Sequence, residues 1–224
     1  MSRSIRALNG VLLLLASVGA LVACGSPQFT YVKNSGDRTY FKVPANWHKI
    51  DAKPIDPAVT GDTPDSAAAA ARGMWSVAYD ADARPSADHM LISEEPIVYA
   101  GVYQLTKDEH DAYSLDKLRD SFLPVTDSSR QLVAQRAQAQ GTPVPKLERL
   151  YDQELTPGDG LRGVREVYNY DLSIGGMQTY DLTAYLSDQG QVYVLLLHCS
   201  ARCYRNRVKE INSIATSFTV RKNL

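Results

Sequence analysis

The chain has 224 residues, 44% of them hydrophobic, with 24 Lys and Arg against 25 Asp and Glu for a formal charge of −1. This balance lacks the basic excess that a nucleic-acid partner asks for, while the length and apolar content suffice for a substantial core.

Arg3 and Arg6 open the chain, followed by a 12-residue run from Val11 to Val22 made only of apolar and small residues. A membrane-spanning helix needs roughly 20 apolar residues, so the run reads as the apolar part of a signal peptide over residues 1–23. It ends in Leu21, Val22, Ala23, Cys24, then Gly25 and Ser26. That tetrad resembles the lipobox of bacterial lipoproteins, which implies cleavage before Cys24 and acylation of its thiol with palmitate-type chains. Residues 24–28 then form a lipidated tether and residues 29–224 a single α+β domain. An ordinary secreted protein cut after an A-x-A-like site is the alternative. Without residues 1–23 the chain keeps 22 basic and 25 acidic side chains, a formal charge of −3. That value gives no sign of electrostatic attraction to anionic headgroups.

A hairpin is expected from Phe29–Lys33 and Arg38–Val43 across Asn34, Ser35, Gly36 and Asp37, with Trp47–Ile50 resuming an extended path. Residues 51–73, with five alanines at 67–71, read as a loop holding a helical turn. Strands are expected at Trp75–Tyr79 and Ile97–Leu105, with a polar loop over 80–95. Ser114 caps a helix to about Leu123 with Leu115, Leu118 and Phe122 on one stripe, and Ser129–Gln140 forms an exposed helix ended by Gly141 and Pro143.

The clearest pattern follows. A strand near Arg149–Leu155 turns through a Pro-Gly-Asp-Gly sequence into a strand with Tyr168, Tyr170, Leu172 and Ile174 on one face, and Gly175–Gly176 reads as a two-residue hairpin turn. Tyr180, Leu182, Ala184 and Leu186 continue the alternation, Asp188, Gln189 and Gly190 turn again, and Val192–His198 is apolar enough for a central strand. A last helix over Tyr204–Ser217 carries Val208, Ile211, Ile214, Ala215 and Phe218 as its core stripe, with 218–220 as an extended tail.

With Cys24 assigned to lipid, Cys199 and Cys203 remain, an even number that reads as a disulfide outside the cytosol. A metal site with His198 lacks a fourth ligand, and the spacing is not that of a C-x-x-C redox motif.

Tyr40, Phe41, Lys42, Val43, Pro44, Ala45, Asn46 and Trp47 near one end, and a meander with a final helix ending Ser217, Phe218, Thr219, Val220 at the other, resemble the α/β sandwich of PsbP-type proteins. The same fold is shared by the Mog Ran-binding protein and by actinobacterial lipoproteins of the LpqN type. The resemblance covers most of residues 28–221, with 51–95 longer than its pattern requires. It implies an antiparallel sheet packed with helices and action by contact with larger partners. It carries no active-site motif.

The chain has no G-x-S-x-G, H-E-x-x-H, P-loop or G-x-G-x-x-G sequence, so neither catalytic residues nor a cofactor are expected. His48, His89, His110 and His198 are scattered. Asp108, Glu109, Asp111, Glu94 and Glu95 lack EF-hand spacing, and no metal is expected. Tyr168, Tyr170, Tyr180 and Tyr185 are the candidate binding residues, as aromatics on a concave sheet face, with core packing as the competing reading. The resulting expectation is a non-enzymatic lipoprotein on the outer face of the cell membrane that binds an envelope protein or an apolar small molecule. The runner-up is a lipid or cell-wall hydrolase.

Overall fold

The computed structural model describes residues 27–62 and 72–221. The Cys24 assignment and the alanine run at 67–71 lie outside them. Among the described residues no helix is long and apolar enough to cross a membrane.

The chain forms an α+β fold of two antiparallel sheets packed with helices. In chain order come β1 (Phe29–Asn34), β2 (Thr39–Pro44), β3 (His48–Ile50), α1 (Asp56–Thr60), β4 (Trp75–Asp80), a 3-10 turn (Ala87–Met90) and β5 (Ile97–Gln104). Next are α2 (Lys107–Ala112), α3 (Leu115–Arg119), α4 (Asp127–Gln140) and the strands β6 (Leu147–Gly158), β7 (Leu161–Asp171), β8 (Met177–Ser187) and β9 (Gln191–Ser200). The chain closes with α5 (Ala201–Ala215) and β10 (Thr219–Val220). Strand order is β1-β2-β10 in the small sheet and β3-β4-β5-β9-β8-β7-β6 in the large one.

Period-two alternation divides the large sheet into two apolar layers. Ile97, Tyr99, Tyr168, Tyr180, Leu182, Val194 and Leu196 point to one side, where Val59 of α1, Met90 and Leu118 of α3 close over them. Val98, Ala100, Leu195, Leu197 and Cys199 point to the other and meet Ile211, Ile214 and Ala215 of α5 with Val32, Phe41 and Val43 of the small sheet. Strands β5 and β9 are therefore buried on both faces, which explains their unbroken apolar sequence.

Several elements differ from the sequence expectation for identifiable reasons. Asp171 pairs with Met177, so the β7–β8 connection spans five residues, Leu172–Gly176, and is not a two-residue Gly-Gly turn. Asp171 Oδ1 accepts the Ser173 N–H, and Ser173 and both glycines take positive φ. The two-residue turn is Asp159–Gly160, with φ of 57° and 74°, where an Asp-Gly pair suits the left-handed values a type I′ turn requires. Helix α3 stops at Arg119 because Asp120 turns its carboxylate onto the N–H groups of Val125 and Thr126. Ser200 caps α5, and at Arg207 (φ −114°, ψ 17°) its backbone leaves helical geometry. Val208 is consequently 43% exposed instead of joining the core stripe. Helix α2 fills the charged stretch that shows no apolar period; a reciprocal capping box between Thr106 and Glu109 starts it.

A disulfide joins Cys199, near the end of β9, to Cys203 in the first turn of α5, with Cα atoms 5.9 Å apart.

Candidate functional site

The tyrosines singled out in the sequence do not form one face. Tyr168 and Tyr180 are cross-strand partners with no exposed surface and Tyr170 is buried beside them, all toward α3. Tyr180 is the hub: its ring lies 5.5 Å from Tyr168, 5.6 Å from Phe122 and 4.4 Å from the His198 imidazole, and its hydroxyl donates to the Leu91 carbonyl. Tyr185, at odd separation from these, lies on the opposite face near Phe218. Its ring covers Gly163, where an added Cβ would sit 2.3 Å from the Ala184 carbonyl oxygen. The candidate recognition face is therefore corrected to core packing for Tyr168, Tyr170 and Tyr180, and the half-buried Tyr185 does not share their side.

Beside this stack lies a group the sequence reading missed. Glu166 has the same parity in β7 as Tyr168 and points into the same layer, where it is fully buried. Neither carboxyl oxygen has a hydrogen-bond partner among the described residues, nor does the buried Tyr168 hydroxyl. Arg149 Nε stands 3.4 Å and Arg119 Nε 3.9 Å from Glu166 Oε1. Burial pushes the carboxyl up to about 7, Asp152 adds to the rise, and the two arginines restrain it. The only signal for it in the sequence is its parity, because a charged residue between Arg165 and Val167 reads as a solvent-facing position.

A second polar pair lies across the sheet end. Asp80 is buried and accepts His89 Nδ1–H at 2.6 Å, together with the N–H groups of Asp82 and Ser86. The His89 carbonyl accepts Nδ1–H of His198, whose Nε2 is unpartnered among the described residues. Burial drives the His198 imidazole down to about 3 and keeps it neutral. An Asp–His pair is half of a triad, yet among the described residues no serine, threonine or cysteine hydrogen bonds to either ring.

Four of the five acidic residues weighed as a calcium site are paired with cations: Glu109 with Arg72, Asp111 with Lys107, Glu94 with Arg202 and Glu95 with Arg207. No group of three or more metal-ligating side chains occurs among the described residues.

The most receptive surface lies where the large sheet outruns α5. Strand β6 is twelve residues long and among the described residues pairs only with β7. Leu150 and Tyr151 stand exposed on it. With Arg165, Val167, Tyr204 and Asn212 they line an open hollow of about 430 Å³. Its floor is rigidly wired: Arg165 grips both oxygens of the buried Asp181 at 3.1 and 2.9 Å, Tyr204 donates to the same carboxylate, and Asn212 accepts from Arg165. The Arg165 guanidinium also lies 5.8 Å from the Tyr151 ring centre. Bulges between Arg149 and Tyr151 and between Leu155 and Gly158 leave Tyr151–Leu155 as the regular stretch of free edge.

No protein-family model and no curated protein matches the chain. Among solved structures it is similar to the cyanobacterial PsbP of Synechocystis, at 13% identity and a TM-score of 0.47 over 91% of this chain and 99% of that one. LpqN of Mycobacterium tuberculosis, described as involved in cell envelope biogenesis, shares 15% identity at a TM-score of 0.41, over 87% of this chain and 91% of its own. A Pseudomonas aeruginosa protein of unknown function shares 10% at 0.40, over 88% and 100%. These are likenesses of chain arrangement.

Proposed function

We propose that the chain is a bacterial envelope lipoprotein, held through lipid on Cys24, whose domain binds an extended segment of a partner protein along β6. The observation that carries the binding reading is the hollow beside the free edge. An unpaired strand offers a row of N–H and C=O groups to an added strand, and adjacent pockets select its side chains. Half-exposed Leu150 and Tyr151 supply apolar contact, and the Arg165–Asp181–Tyr204 network holds the floor fixed, so little ordering is left to be done on binding. A small molecule is less suited, because such ligands bury most of their surface in a cleft and this hollow is open. The hydrolase reading has only the Asp80–His89 pair to offer, with no nucleophile in contact among the described residues.

The test places a photoreactive phenylalanine analogue at Tyr151 or at Leu132, which is exposed on α4, in the native host. A defined adduct from position 151, absent from 132 and competed by excess unlabelled domain, is expected. Equal adduct patterns from both positions would remove the binding assignment. For the anchor, incorporation of labelled palmitate should depend on Cys24, and Cys24→Ser should release the protein from membranes. A variant still bound and labelled would show the anchor to be elsewhere.

A further inference from the structure

The small sheet buries one face and exposes the other, and the exposed face has an unusual composition. Outward along β1 point Phe29, Tyr31 and Lys33; opposite them on β2 stand Pro44, Lys42 and Tyr40 in direct register. Arg221, just past β10, lies over the Tyr40 ring at 5.3 Å, and Lys42 Nζ lies 4.3 Å from the centre of Phe29. Tyr31 is 78% exposed, the largest exposure among the large hydrophobic side chains described. Strands β1, β2 and β10 contain no Asp or Glu. Asp37 in the β1–β2 turn is bonded to Asn34 and Gln191, and Asp159 and Asp188 lie with Arg221 around a hollow at the end of this sheet. A formal charge of −3 summed over residues 24–224 conceals this local grouping of Lys33, Lys42 and Arg221.

We infer that this face docks flat on the surface of an anionic lipid bilayer. Aromatic rings with polar tips settle at headgroup level, and lysines lay their carbon stems along them while the ammonium groups reach the phosphates. The inference rests on the Cys24 anchor proposed above. Phe29 stands five steps along the chain from Cys24, and at up to ~3.6 Å a step the tether reaches about 18 Å. Lipid on Cys24 therefore keeps the start of β1 beside the headgroups.

Each Lys or Arg near an anionic surface biases the orientation by about fivefold, so the three cations together favour docking by roughly 100-fold. The experiment uses the full chain in its lipidated form, in vesicles of phosphatidylcholine and phosphatidylglycerol in equal parts, labelled with a water-soluble amine-acetylating reagent and read by peptide mass spectrometry. Lys33 and Lys42 should acetylate at least about tenfold more slowly than in detergent, while Lys107, exposed on α2, reacts equally in both. Lys33→Glu with Lys42→Glu should keep the acyl label on Cys24 yet relieve protection of the peptides bearing Tyr31 and Tyr40 in a parallel tyrosine-iodination readout. Unchanged Lys33 and Lys42 labelling on vesicles, with acyl label present, overturns the docking face alone. Protection already present in detergent assigns the face to a second copy and overturns it too. Loss of the Cys24 acyl label in the wild-type chain overturns the anchor, and the inference with it.

Discussion

The two layers against the large sheet are built from different chemistry. The layer under α5 is aliphatic at its centre, where Val98, Leu195, Leu197, Ile211 and Ile214 meet, with Phe41, Trp47, Tyr193 and Phe218 also buried in it and a disulfide at its rim. On the opposite side, under α1 and α3, the sheet buries Glu166, His198 and five tyrosines, of which Tyr168 has a hydroxyl with no partner among the described residues. The centre of the first layer is held by apolar packing, with the buried Arg165–Asp181 pair confined to its β7–β8 margin, whereas the second carries at its centre Glu166 and His198, whose protonation differs between the folded and unfolded chain. The two should therefore respond to different perturbations.

The largest effect is expected in the aliphatic layer. Leu195→Ala removes a fully buried side chain on the central strand and should cost about 3–4 kcal/mol, by the same amount at pH 5 as at pH 7.5, in chemical denaturation. A loss that varies strongly with pH would blur the contrast between layers.

Next come the two ionisable groups, which act with opposite sign. Glu166 titrates near 7 in the fold against an unfolded value of 4.5, so between those values the native state holds a proton that the unfolded chain has lost. Its contribution is full below 4.5 and is lost as pH rises through 7, at about 1.4 kcal/mol per pH unit. His198 titrates near 3 against 6.5, so acidification protonates the unfolded chain first, and stability falls by a similar amount per unit as pH drops from 6.5 toward 3. Between pH 4.5 and 6.5 the two slopes cancel. Glu166→Gln should therefore make stability fall with acidification in that window, and His198→Gln should make it rise. Urea midpoints measured across the window decide this, and parallel curves for the three proteins would contradict it.

The smallest expected change is at the rim. Reducing Cys199–Cys203 opens a loop so short that chain entropy accounts for about 2 kcal/mol. The loss should appear equally at all pH values below the thiol range, about 8.5.

Much of this contrast was legible in the sequence. Alternation in 180–186, the apolar run in 192–198 and the stripe at Ile211, Ile214 and Phe218 gave the meander and its helix, because burial imposes those periods directly. Helix α1 falls within the loop where a helical turn was expected, whereas α2 escaped notice: six residues are too few to show a period, although Thr106 and Glu109 carried the cap signature. Glu166 escaped for a different reason. Its depth is set by α3 and the arginines of α3 and β6 closing over it, contacts far apart in sequence. The aromatic and basic face was hidden by averaging charge over the chain, and only the cross-strand register brings Phe29, Tyr31, Lys42 and Tyr40 together.

The pairing order also bears on how the chain matures if it crosses a membrane N-terminus first. Strand β2 takes β10 as its neighbour and β5 takes β9, so both sheets need strands from the last thirty or so positions to be completed. Until those positions emerge, β5 has an open apolar edge and β2 is one strand short, and such long-range pairings form slowly. A chain truncated before β9 cannot assemble either sheet in full and stays open to proteolysis, so emergence of β9 and β10 is itself the checkpoint for folding.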